Sequence, residues 1–191
     1  MRMTLLTLLA LGALPAPALA QMDHGTMHTT APATGMSQSM DLSALNALTG
    51  KAFDRAFLSM MIPHHQAAVA MSQAVLGTRD PRVKAWATAI IKDQNREIVQ
   101  MNTLLKSYGG TDRRMQASMK SMMGDMASSV KNASNKDRAF VQGMIPHHAS
   151  AIDMANLALQ KSQNLAVLKL ARDITRAQAV EIYEFKAYLL R

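Results

Sequence analysis

The chain has no cysteine, which rules out disulfides, thiolate metal sites and a lipid-anchoring cysteine. Aromatic residues are nearly as scarce: four Phe, three Tyr and one Trp make up 4% of its 191 residues. A nucleic-acid platform needs aromatics interleaved with a basic stripe, and here Lys and Arg are scattered singly, so a net charge of +8 is no argument for such a partner. Clustered oxygen ligands for hard cations are also missing, with 13 Asp and Glu against 21 Lys and Arg. No Glu-x-x-His occurs anywhere, which counts against a di-metal carboxylate oxidase. Beyond the first twenty residues, no stretch is long and uncharged enough to span a bilayer.

Those first twenty residues, MRMTLLTLLALGALPAPALA, combine a basic start, an apolar stretch and the small-residue ending Ala18-Leu19-Ala20. This is the pattern of a cleaved secretory signal, so the expected product starts at Gln21, is periplasmic or secreted, and has no membrane span. A retained anchor is the competing reading, but the apolar stretch falls short of the roughly 20 residues a spanning helix needs. Residues 21–41 are rich in Thr, Ser, Gly, Ala and Pro without apolar periodicity, and are expected to form a disordered tail. Residues 42–191 are left to form one domain.

What the chain has in place of aromatics is methionine, 17 in all. Met is a flexible core filler and, through its thioether, a soft ligand. From Leu42 onward the apolar pattern is helical. Stops fall at Gly77, Gly109-Gly110 and near Asn164; starts fall at Asp80-Pro81 and at Ser134 with Asp137 three residues on. These signals predict long helices over about 51–77, 81–108, 135–161 and 165–190, and a shorter fifth over 112–131.

Two segments are copies of each other. DRAFLSMMIPHHQAAVAM starts at Asp54 and DRAFVQGMIPHHASAIDM at Asp137, and together they hold four of the chain's six histidines. The copying extends into the following helices, where Trp86, Ile90, Gln94, Glu97 and Ile98 align with Leu170, Ile174, Gln178, Glu181 and Ile182. Two duplicated helical hairpins packed face to face predict an all-α four-helix bundle, with the fifth helix as an extra short connection.

At 100° per residue, Phe57, Met61, His64, His65, Ala68 and Met71 share one core-facing arc. Adjacent residues on a regular helix diverge too far to chelate one ion together. Pro63 and Pro146 offer distortion, each depriving a carbonyl four residues back, those of Ser59 and Gln142, of its usual donor. On the partner helices Gln94, Glu97, Gln178 and Glu181 fall on the buried stripe, and Glu97 and Glu181 are the expected core-facing carboxylates. An unpaired buried carboxylate costs several kcal/mol, which predicts Glu97 beside His64 or His65 and Glu181 beside His147 or His148. A carboxylate so placed sets the tautomer of a ligating imidazole.

The candidate ligands in the bundle are therefore His64, His65, Met61 and Met71 in one copy, and His147, His148, Met144 and Met154 in the other. Against this stands a plain alternative, since buried His-Glu pairs also occur as satisfied polar groups and Met as core filling. The tail adds Met22, His24, Met27 and His28 in a segment too polar for packing to explain them. In the short helix Met115, Met119, Met122, Met123 and Met126 would form one continuous face. Packing is the default for such a face, yet that helix has no Leu, Ile or Phe, as a soft-ligand face would. Thioether sulfur favours Cu(I) and imidazole suits copper, zinc and nickel, so the two together point to copper; zinc alone would leave the methionines unexplained.

The paired motif, with Gln-x-x-Glu-Ile at 94–98 and 178–182, resembles the domain of unknown function 305 family over about residues 48–191. The resemblance implies a ferritin-like, usually exported protein, similar to a periplasmic copper binder with Met and His ligands, and metal binding through both His pairs with Met61 and Met144. Gly143 stands where the first copy has Met60, so any role of Met60 is not shared. The combined expectation is a non-enzymatic exported copper-binding protein, Cu(I) favoured, serving resistance, buffering or delivery, with an exported copper-handling protein as the partner for delivery. The rival is a metal-free interaction module that grips a partner helix through the Met stripe.

Overall fold

The computed structural model describes residues 40–191; the expected signal and most of the expected tail lie outside them. The described residues form seven helices: α1 (Ser43–Asn46), α2 (Gly50–Gln73), α3 (Pro81–Ser107), α4 (Arg113–Met123), α5 (Met126–Lys131), α6 (Lys136–Lys161) and α7 (Leu165–Leu189). Three of the four long ones, α3, α6 and α7, start where side chains satisfy free backbone amides. Asp80 accepts from Arg82 N at 2.9 Å, with Pro81 in the first turn, and Asn164 accepts from Ala166 N at 2.9 Å. For α6 the cap is Asn135 rather than the expected Ser134, and it accepts from Arg138 N at 2.9 Å. At the end of α3, Gly109 and Gly110 have φ of 78° and 90°, and Gly110 N turns back to Leu105 O at 2.8 Å.

The predicted fifth helix is corrected to two. Gly124, at φ 51°, ends α4, and the chain restarts on α5 with Asp125 accepting from Ser128 N. A positive φ cannot continue a right-handed helix, so the expected continuous methionine face is broken between Met123 and Met126.

Hairpin α2–α3 and hairpin α6–α7 form a four-helix bundle, with α4 packed on α2 and α5 on α2 and α6. Helices α2 and α6 are antiparallel: His64 lies against His147, and Met71 Sδ lies 3.9 Å from where a Gly143 Cβ would sit. Both run without interruption through Pro63 and Pro146.

The duplication divides the core in two. One lobe gathers Phe57, Met61, Met101, Met154, Ala158, Val167, Ala171 and Ile174. The other gathers their counterparts Phe140, Met144, Phe185, Met71, Val75, Val83, Ala87 and Ile90. Each lobe therefore combines residues of both copies, as a pseudo-two-fold between α2 and α6 requires. Phe53, Phe57, Phe140 and Phe185 are fully buried, and each contributes roughly 1.5–3 kcal/mol. A polar layer occupies the middle.

Candidate metal centre

That layer is built from His64 and His65 on α2, His147 and His148 on α6, Gln94 and Glu97 on α3, and Gln178 and Glu181 on α7. The four histidines are at most 3% exposed. His64 and His147 face each other across the pseudo-two-fold with ring centroids 3.9 Å apart, while His65 and His148 lie further out, 6.3 and 6.0 Å from their chain neighbours. Successive residues on a helix diverge, so each pair splits into one inner and one outer ring.

The outer rings meet the carboxylates. His65 Nε2 donates to Glu97 Oε2 at 2.7 Å. His148 Nε2 is also 2.7 Å from Glu181 Oε2, but the direction is wrong for a hydrogen bond and this nitrogen has no hydrogen-bond partner. The two copies are thus chemically unequal. Burial, with Asp93, Glu184 and Glu97 nearby, pushes the Glu181 carboxyl up to about 7. Burial, reinforced by His65, holds His148 down at about 3, so neither partner of this contact favours its charged form.

The inner rings meet the backbone and a hydroxyl. His147 Nε2 is 3.1 Å from the carbonyl of His64, and His64 Nε2 is 2.8 Å from Ser150 Oγ. The acceptor carbonyl at this depth belongs to His64, not to Ser59 or Gln142. Burial, followed by the neighbouring imidazoles, keeps both His64 and His147 well below the ordinary histidine value.

All four Nδ1 atoms are buried without a hydrogen-bond partner, as are Gln94 Oε1 and both amide atoms of Gln178. Each orphaned polar atom costs about 1–3 kcal/mol, which a ligand for the layer would relieve. Neutral imidazole carries the lone pair a transition metal needs, so the donor chemistry fits a soft or borderline cation. Among the described residues no group of three or more His, Asp or Glu converges on one point.

The expected thioether ligands lie on either side of the layer. Met61 and Met154 are fully buried in one apolar lobe, and Met144 and Met71 in the other. Met119 is buried and Met123 packs beside it in the first lobe, Met126 packs in the second, and Met122 is 44% exposed. Met22, His24, Met27 and His28 lie outside the described residues.

Two polar residues escaped the sequence reading. Asp54 is 4% exposed and accepts from the Tyr108 hydroxyl at 2.9 Å, so Glu97 and Glu181 are not the only core-facing carboxylates. Burial and this bond push Tyr108 up to about 12. The signal was present, since Asp54 opens the duplicated Asp-Arg-Ala-Phe, and its counterpart Asp137 accepts from Thr78 Oγ1 at 2.7 Å. Ser150 was the second, marked only by its difference from Ala67 in the other copy.

The family described as Domain of unknown function (DUF305) matches the chain over residues 4–105 and again over 78–189. CopM in its Cu(I)-bound form is similar at 33% identity and a TM-score of 0.60, covering 71% of this chain and 94% of that one. CopM in its Cu(II)-bound form is similar at 36% identity and a TM-score of 0.62, with the same coverage of 71% and 94%. A DUF305 fragment from Deinococcus radiodurans is 25% identical with a TM-score of 0.60, covering 71% of this chain and 94% of the fragment. Uncharacterized protein L153 of Acanthamoeba polyphaga mimivirus is 47% identical over 53 residues, 27% of this chain; the chain spans about a third, 35%, of that relative's length. Among the described residues no helix is long and apolar enough to cross a membrane.

Proposed function

The chain belongs to the DUF305 family, and from that premise we propose that it is an exported copper-binding protein that holds Cu(I) through histidine and methionine for resistance, buffering or delivery. One observation carries the reading: a buried layer of paired imidazoles with unpartnered Nδ1 atoms, in a fold similar to that of CopM in copper-bound forms. His64, His65, His147 and His148 would supply imidazole nitrogen, and Met61, Met71, Met144 and Met154 thioether sulfur from the adjoining lobes. Glu97 orients the outer ring of His65. Met22, His24, Met27 and His28 would capture copper from the tail. Met119, Met122, Met123 and Met126 are divided between two helices and mostly packed, which supports a structural part for the first of them more than a ligand face.

The copper supplies a soft, weakly hydrated positive charge that prefers sulfur and imidazole to water. The chain's part is to exclude water, keep the imidazoles neutral and offer no thiol that could be oxidised. The proposal requires no catalysed reaction.

The test is an anaerobic competitive Cu(I) titration of the chain from Gln21 onward, with two variants. One has all four bundle histidines changed to Ala, with helicity confirmed; the other has Met22, His24, Met27 and His28 changed to Ala. Loss of tight sites in the first variant places copper in the bundle. Binding unchanged there but lost in the second would overturn the bundle reading and move the function to the tail.

A further inference from the structure

The hydrogen bonds around the two inner histidines form a closed circuit whose direction can be read atom by atom. A carbonyl oxygen can only accept, so His147 Nε2, 3.1 Å from the carbonyl of His64, must carry the hydrogen. Ser150 Oγ donates its single hydrogen to the carbonyl of His147 at 2.7 Å. Toward His64 Nε2, 2.8 Å away, that hydroxyl can therefore only accept, and His64 Nε2 must also carry the hydrogen. Each ring thus donates toward the opposite helix, His147 directly into the backbone of α2 and His64 through Ser150 into the backbone of α6.

We infer that Ser150 is a positioning residue that holds His64 in the Nε2–H tautomer, so that His64 and His147 together present two Nδ1 lone pairs, rather than Nε2, to a soft monovalent cation. Both Nδ1 atoms are buried and without a hydrogen-bond partner, on rings whose centroids are 3.9 Å apart. The same logic extends to His65, whose Nε2 donates to Glu97 at 2.7 Å. His148 stays outside the assignment, because its contact with Glu181 lacks hydrogen-bond direction. The circuit is asymmetric by sequence: Ser150 corresponds to Ala67 in the other copy, which has no hydroxyl to offer, so His147 uses a backbone carbonyl instead. The duplicated motif thereby gains two inner histidines with the same tautomer from two different acceptors. The ligand half of this inference rests on the copper reading above; the positioning half does not.

The experiment is a two-bond proton–nitrogen correlation spectrum of the 15N-labelled full chain, metal-free and near neutral pH, followed by titration with Ag(I) as a diamagnetic soft cation. His64 and His147 are expected to show a protonated Nε2 and a bare Nδ1. Ser150→Ala, which reproduces the residue of the other copy, is expected to remove the preference at His64 alone, and Ser150→Thr to restore it. On adding Ag(I), the shift is expected at Nδ1 of both rings, with affinity in Ser150→Ala weakened about two- to tenfold, the worth of one hydrogen bond. A protonated Nδ1 on either metal-free ring, or a His64 unaffected by Ser150→Ala, would overturn the positioning role. The expected tautomers with an Ag(I) shift at His65, His148 or the thioether methyls but none at these two Nδ1 atoms would uphold that role and overturn the ligand half alone; no Ag(I) shift anywhere in the bundle would overturn the ligand half together with the bundle part of the copper reading.

Discussion

The two carboxylates that occupy equivalent places in the repeat are expected to respond oppositely to substitution. Glu97 accepts a hydrogen bond from a fully buried ring, and Glu97→Ala leaves His65 Nε2–H without an acceptor, costing about 1–3 kcal/mol. Glu97→Gln keeps a carbonyl acceptor and should cost less. Glu181 makes no directed bond with His148, and its carboxyl is raised from 4.5 to about 7 by burial and by Asp93, Glu184 and Glu97. A carboxyl with a raised folded-state pKa binds more protons folded than unfolded, so its contribution is complete below pH 4.5 and is lost as pH rises through 7. The penalty in the ionised state is at most about 3 kcal/mol, and the 22% exposure of the side chain reduces it. Glu181→Gln removes that penalty and should stabilise the metal-free protein at pH 8 by roughly 1–2 kcal/mol, with the gain vanishing by about pH 4.5. Urea unfolding of both variants at the two pH values measures this directly. Equal destabilisation of Glu97→Gln and Glu181→Gln at pH 8 would refute the reasoning.

Acid should destabilise the metal-free protein through the other histidines. His64, His147 and His148 are all lowered by burial, so their unfolded forms take up protons below pH 6.5 while the folded forms do not. Stability present above 6.5 is thus lost on acidification, opposed by the one proton of Glu181 down to about pH 4.5, for a net slope of at most roughly 3 kcal/mol per pH unit. A urea midpoint that stays flat from pH 6.5 to 4.5 would contradict this. Gly143→Ala should stabilise α6 by about 1 kcal/mol, because a glycine inside a helix is costly and the added Cβ meets only Met71 Sδ at 3.9 Å; a lower melting temperature would show that the site is tighter than it looks.

Two helix ends were legible from local signals, while the cap of α6 falls one residue later, at Asn135, than the expected Ser134. Asp80-Pro81 and Gly109-Gly110 act through their own backbone and nearest amides, and they stand where expected. The break at Gly124 was not read, because a lone glycine within a helical pattern carries no mark of the sign of its φ. The polar layer was half legible. Periodicity placed Glu97 and Glu181 on the buried stripe facing the histidines, but not the pairing of Glu97 with the outer ring His65.

By itself the sequence determined the four long helices, the duplication and the set of side chains that must meet at the bundle's middle, because these follow from spacing along one chain. Only the tertiary structure decided which nitrogen meets which oxygen: that Ser150 serves His64, that Asp54 is buried under Tyr108, and that two carboxylates identical in the repeat differ in chemistry. Such contacts depend on how each helix is rotated and crossed against its neighbours. A few tenths of an ångström or tens of degrees there separate a hydrogen bond from a bare contact, and no period in the sequence encodes them.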